Sequence, residues 1–172
     1  MHFLINFIGF QAAWFACALG VPSNHPEWIV LICSIFLGYH FYICQNRFKE
    51  LELVVKVCAL GLIVDSVLNV FNFVSFGLSY PEPFMHIQPW WMLLLWACFA
   101  STLNISFKWL KNKYKLASIL GAISAPLSYL GGEKFNALAL HGTQSWIAIA
   151  VVWAIAMPIM VSWISVNKEA TR

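Results

Sequence analysis

The chain has 172 residues, of which 61% are hydrophobic and 10% charged. A soluble domain of this size needs more charge to cover its surface, and several apolar stretches approach the ~20 residues that a bilayer-spanning helix requires. The net charge of +3 is no nucleic-acid signal, because the basic residues follow the connections between apolar segments.

Six spans are predicted, at about 3–19, 28–45, 53–78, 90–110, 114–130 and 145–166. They make an all-α membrane protein, a six-transmembrane-helix bundle forming a single integral membrane domain over 1–172. The first span lacks a basic leader and is interrupted by Asn6 and Gln11, so it reads as a retained helix rather than a signal peptide. Its Gly9, Ala13, Ala16 and Gly20 form a small-residue face that lets a neighbouring helix approach closely. The second span carries His40, the one histidine expected inside the membrane.

The third span holds the most expensive residue. In "GLIVDSVLNVFNF" (61–73), Asp65 has no Lys or Arg within eight residues on either side and falls at the predicted span centre. Insertion of Asp at that depth costs about 2.5–3.5 kcal/mol, so its side chain should face protein or water. Asn69 and Asn72 follow at i+4 and i+7, extending a polar stripe outward on the same face. An Asp65–His40 contact is sterically possible if spans two and three present these faces to each other.

Span four continues the polar seam with Ser101, Asn104 and Lys108, at i, i+3 and i+7. Span five adds Ser124 and Ser128 around Pro126, which frees a backbone carbonyl. Its Ala117, Gly121 and Ala125 form a second small-residue face. The seam has two readings: packing glue, or a site in which Asp65 acts as acid, base or ligand contact with His40 in support.

Nine of the ten basic residues fall on one side of this topology, at the second and fourth connections and in the tail; Lys134 is the exception. The positive-inside rule makes that side, with the N- and C-termini, cytoplasmic. Trp28, Trp90, Trp91, Trp109, Tyr114, Trp146 and Trp163 lie near span ends, where interfacial aromatics belong.

Each outer connection carries one histidine and one acid: His25 with Glu27, His86 with Glu82, and His141 with Glu133. Converging loops would let His25, His86 and His141 bind a divalent ion, yet none of the spacings is a metalloenzyme signature, and solvated loop residues are the simpler reading. The five cysteines form no CxxC and no ligand-like Cys/His pair, so no metal site and no cofactor is expected. HExxH, GxSxG, P-loop, GxGxxG and DxxD patterns are missing as well.

Four segments in order, "NFIGFQAAWFACALG", "GLIVDSVLN", "WACFASTLNISFKWL" and "GAISAPLSYLGGEKFNA", resemble the bacterial inner-membrane family catalogued as domain of unknown function 2878. The resemblance covers nearly the whole chain. It implies a small multi-span protein of the bacterial inner (cytoplasmic) membrane, with Trp14, Asp65, Ser66, Asn104, Pro126 and Gly131 in its most recognisable segments. It also implies an association with fatty-acyl-modifying enzymes.

Three functional expectations result. The first is a non-catalytic component that binds membrane lipid or a partner enzyme in fatty-acyl modification. The second is a membrane-embedded enzyme acting on a lipid through Asp65, with His40 or Asn104. The third is a small proton-coupled carrier in which Asp65 takes up the proton.

Overall fold

A computed structural model describes residues 2–23 and 25–165. Those residues form six α-helices: α1 (His2–Gly20), α2 (Pro26–Ile43), α3 (Arg47–Val70), α4 (Trp90–Leu103), α5 (Tyr114–Lys134) and α6 (Thr143–Ser162). A single 3-10 turn at Lys108–Leu110 follows α4. The mostly helical class holds, with one addition: strands β1 (Val74–Phe76) and β2 (Leu138–Leu140) pair antiparallel, Val74 opposite Leu140 and Phe76 opposite Leu138.

The strands exist because α3 and α5 stop by the same device. Asn72 and Asn136 take left-handed φ values of 54° and 60° just beyond the helix ends. Phe73 N–H then donates to Leu68 and Asn72 N–H to Asn69, while Ala137 and Asn136 do likewise to Gly132 and Glu133. These are two Schellman closures with asparagine in the position glycine usually takes. The third helix therefore ends at Val70, not near 78, and starts at Arg47 rather than 53. Asp65 lies one and a half turns from that end, away from the helix centre.

Helix directions alternate. His2, His40, Glu50, Asn104, Lys108 and Ser165 border one shared cavity, which brings the start of α1, the end of α2, the start of α3 and the segments after α4 and α6 to one end. Lys111 closes it by donating to the Ile164 carbonyl. At the other end the strand pair meets the α1–α2 connection, where Val21 presses on Gly77. Ser145 Oγ donates to the Phe73 carbonyl (2.7 Å), Trp91 Nε1 donates to the Gly77 carbonyl (2.8 Å), and Glu133 accepts from Leu140 N–H (2.9 Å). Trp91, at the start of α4, is thus buried against the fold.

Small residues set the closest helix contacts. A Cβ on Gly121 would come within 2.4 Å of the Trp153 carbonyl oxygen, and one on Gly9 within 2.4 Å of the Phe36 ring. So α5 lies tightly on α6, and α1 on α2, as their small-residue faces predict. Four helices, α1, α2, α3 and α6, are long and apolar enough to cross a membrane. With 14 residues α4 is shorter, about 21 Å at 1.5 Å per residue against a hydrocarbon core of roughly 30 Å. The turn and 3-10 segment through Leu110 lengthen its path.

Candidate functional site

Asp65 is fully buried, and three uncharged donors converge on its carboxylate. Gln88 Nε2 (2.9 Å) and Trp96 Nε1 (2.6 Å) donate to Oδ2, and the Tyr129 hydroxyl donates to Oδ1. Asp65 has no ion-pair partner among the described residues. Hydrogen bonds from fixed neutral dipoles replace the water that the carboxylate gave up, the condition under which a buried polar group is tolerated.

Each donor arrives from a different element. Gln88 sits in the loop before α4, tied down by its own N–H donating to Ser66 Oγ (3.0 Å). Trp96 crosses from α4 over Gly61, one turn before Asp65; any side chain there would strike the indole, since a Cβ would come within 2.2 Å. Tyr129 reaches in from α5. Among the buried side-chain atoms around this cluster, Gln88 Oε1 and Trp153 Nε1 make no hydrogen bond of normal length and angle among the described residues.

On its far side this cluster borders a cleft of about 420 Å³ between α1 and α4 on one wall and α5 and α6 on the other. Phe10, Phe99, Phe107, Trp96 and Trp153 form most of the apolar wall. Trp96 and Trp153 stack at 4.9 Å with 16° between ring planes. Trp14 narrows one rim by donating its indole N–H to Ser128 Oγ (2.9 Å). Ser124, Leu127 and Gln11 line the cleft and are exposed, so it opens sideways between helices. Asp65 does not line it; Trp96 and Tyr129 stand between.

The expected seam divides into separate pieces. Asn69 is buried and donates to the Met85 carbonyl (3.1 Å), fastening the outer loop. Asn72 leaves the stripe altogether, because it is the exposed left-handed residue that stops α3. Ser101 Oγ and Ser124 Oγ donate to carbonyls one turn back in their own helices, Cys98 and Leu120. Ser128 borders the cleft. Asn6, unpaired in the sequence reading, bridges Ser101 O and Ser106 Oγ.

His40 does not meet Asp65. It sits at the opposite end of the bundle, with Nε2 2.9 Å from Glu50 Oε1 and 3.5 Å from Cys44 Sγ. Asn104 Nδ2 donates to the other Glu50 oxygen (2.8 Å), and Asn104 Oδ1 accepts from Ser165 N–H (3.0 Å). The outer histidines do not converge. His25 pairs with Glu27 at 2.7 Å in solvent, His141 Nε2 lies 2.8 Å from Ser75 Oγ, and His86 is exposed. Among the described residues, the one group of three His, Cys or carboxylate ligand atoms close enough to share an ion is His40, Cys44 and Glu50. That corrects the expectation that no cysteine has a ligand-like histidine partner.

Sequence reasoning missed Tyr129, Trp96, Gln88 and Glu50. Trp96 and Tyr129 carried a usable signal, since a buried indole or phenol within an apolar helix needs an acceptor, and Asp65 was the acceptor in want of donors. The His40–Cys44 pair was legible as an i, i+4 spacing at a helix end. Gln88 gave no signal, because nothing in a loop sequence tells where the loop folds back.

No curated protein and no solved structure matches the chain. The family described as protein of unknown function (DUF2878) matches residues 3–159. Together with the helices that are apolar enough to cross a bilayer, this makes the chain a membrane protein of the DUF2878 family.

Proposed function

We propose that the protein is a six-span component of the bacterial inner membrane, both termini cytoplasmic, that binds a membrane lipid in its lateral cleft and serves fatty-acyl modification without catalysing it. The observation that carries this reading is the cleft: an aromatic-walled volume of about 420 Å³ with a mouth between helices, within the roughly 300–1,000 Å³ typical of small-molecule sites. A cleft that opens sideways in a bilayer faces acyl chains, which match its apolar wall. The sealed carboxylate behind it then holds Trp96 and Tyr129 in place and takes no part in chemistry.

A second reading has one observation of its own. Tyr129 lines the cleft and its hydroxyl hydrogen-bonds Asp65, which would couple a general acid to a carboxylate if that hydroxyl turned to the cleft. On that reading the protein is a lipid-modifying enzyme. The proton-coupled carrier reading has the 0% exposure of Asp65 against it.

The test uses protein purified in bilayer nanodiscs, with co-purified lipid counted by mass spectrometry, alongside the acyl composition of cells lacking the gene. Filling the mouth with Ser124→Trp should displace the lipid; a Ser124→Trp protein with undiminished lipid would sink the proposal. Tyr129→Phe should keep lipid and restore the cellular acyl pattern if the role is binding. Retained lipid without restoration would instead favour the enzyme.

A further inference from the structure

At the end of the bundle opposite the cleft, His40, Cys44 and Glu50 form a cluster that the lipid reading does not use. We propose that it is a binding site for a divalent transition-metal ion of borderline-soft character, Zn²⁺ above all, with three protein ligands and one open position. The ligand set is an imidazole, a thiolate and a carboxylate, and the ligand atoms all lie within 4.8 Å of one another. Imidazole, thiolate and carboxylate are the donors zinc takes, whereas magnesium and calcium avoid sulfur.

The geometry is near that of a metal site already. Bonds of about 2.0–2.3 Å in a tetrahedron put neighbouring ligand atoms about 3.4–3.6 Å apart. His40 Nε2 and Cys44 Sγ are 3.5 Å apart, while Nε2 and Glu50 Oε1 are 2.9 Å apart because they now share a hydrogen bond. An ion entering between them replaces that bond and asks the pair to open by about half an ångström. Cys44 gives up its thiol proton to water on binding.

The support around the ligands is of the kind that orients them. His40 and Glu50 are buried, so neither moves freely. Asn104 holds Glu50 Oε2 and leaves Oε1 turned to the cluster, and Asn104 is itself held by Ser165 N–H. Outer-shell hydrogen bonds of this sort commonly set ligand direction. Without an ion Glu50 Oε1 accepts the Nε2 proton; His40 Nδ1 has no partner among the described residues, so the ring proton can move there when an ion takes the Nε2 lone pair.

The fourth position faces the cavity of about 450 Å³ that also carries His2, Asn46, Lys49 and Lys108. A thiolate and a carboxylate cancel the ion's charge, so the two lysines near the mouth face a neutral site. They favour an anion, such as hydroxide or phosphate, in the open position.

The experiment strips the full-length protein with chelator and titrates it with Co²⁺ as a spectroscopic stand-in, then displaces the cobalt with Zn²⁺. One cobalt per chain should bind, with a thiolate-to-metal charge-transfer band in the near ultraviolet. Cys44→Ser is conservative and half-exposed, so it should fold normally; it should lose the band. Asn104→Ala should keep the band and weaken zinc by roughly 10–100-fold, as removal of an outer-shell partner does. A wild-type protein that melts normally but takes up no cobalt overturns the site, as does a Cys44→Ser protein that binds with the same band. Neither result touches the cleft, whose test reads lipid.

Discussion

The carboxylate of Asp65 is held by three donors and no cation, so what replaces it decides what breaks. Leucine would leave an indole N–H, an amide N–H and a phenol O–H buried without an acceptor, each worth about 1–3 kcal/mol. Asparagine is different. Its carbonyl can take the place of Oδ2, receiving Gln88 and Trp96, while its amide donates to a Tyr129 oxygen whose hydroxyl has turned. Asp65→Leu should therefore lower stability by about 3 kcal/mol or more, and Asp65→Asn by less than about 1 kcal/mol. Thermal unfolding in detergent checks both, and equal melting of Asp65→Leu and wild type would mean that the three donors are not closed on the carboxylate. The same contrast makes Asp65→Asn the clean functional probe, since it removes the charge and keeps the frame. That a lone acid must have partners was legible from its depth in an apolar run; which partners was not. Trp96 and Tyr129 lie 31 and 64 positions away in sequence, and no periodicity on one helix reaches that far.

Among elements, the instructive case is α3. Hydropathy continues past Val70 through Phe71, Phe73, Val74 and Phe76, so composition extends the helix to about 78. The chain stops it at Asn72 instead, and the β-branched and aromatic residues beyond form a strand. Periodic apolarity measures what a segment can bury, not whether the backbone goes on turning. The same Phe-Asn pair closes α5 at Phe135–Asn136, so the stop signal occurs twice and was readable as a repeat. A residue with a Cβ pays about 1–2 kcal/mol in the left-handed region, which asparagine partly escapes and glycine wholly. Asn136→Ala should accordingly cost about 1 kcal/mol, whereas Asn136→Gly should be close to neutral. Chemical unfolding of the two variants gives the comparison; alanine as stable as glycine would mean that the turn relaxes out of the left-handed region. The small-residue faces, by contrast, were fully legible. Packing without side-chain bulk is a local property of one helix, and Gly121 and Gly9 meet their neighbours where the stripes put them.

At the scale of the whole molecule the open question is which end faces the cytoplasm. The alternating helices bring the starts of α1, α3 and α5 to one end, and with them Arg47, Lys49, Lys108, Lys111 and Lys113. The strand pair and Glu27 lie at the other. Translocating so many cations costs far more than leaving them behind, so the basic end should stay inside. An impermeant maleimide reads this directly in intact cells, using Cys44→Ser as background because that thiol sits near the basic end. Glu27→Cys, exposed at the strand end, should label from outside without further treatment. Lys113→Cys, exposed before α5, should label only after the membrane is permeabilised. Labelling of both residues from outside would sink the alternating six-span arrangement in the bilayer, and the reverse pattern would invert it. The result also fixes the two sites. With the basic end inside, the His40–Cys44–Glu50 cluster opens to the cytoplasm, where its thiol stays reduced. The cleft mouth, set among the middle residues of α1 and α5, stays at the level of the acyl chains in either orientation.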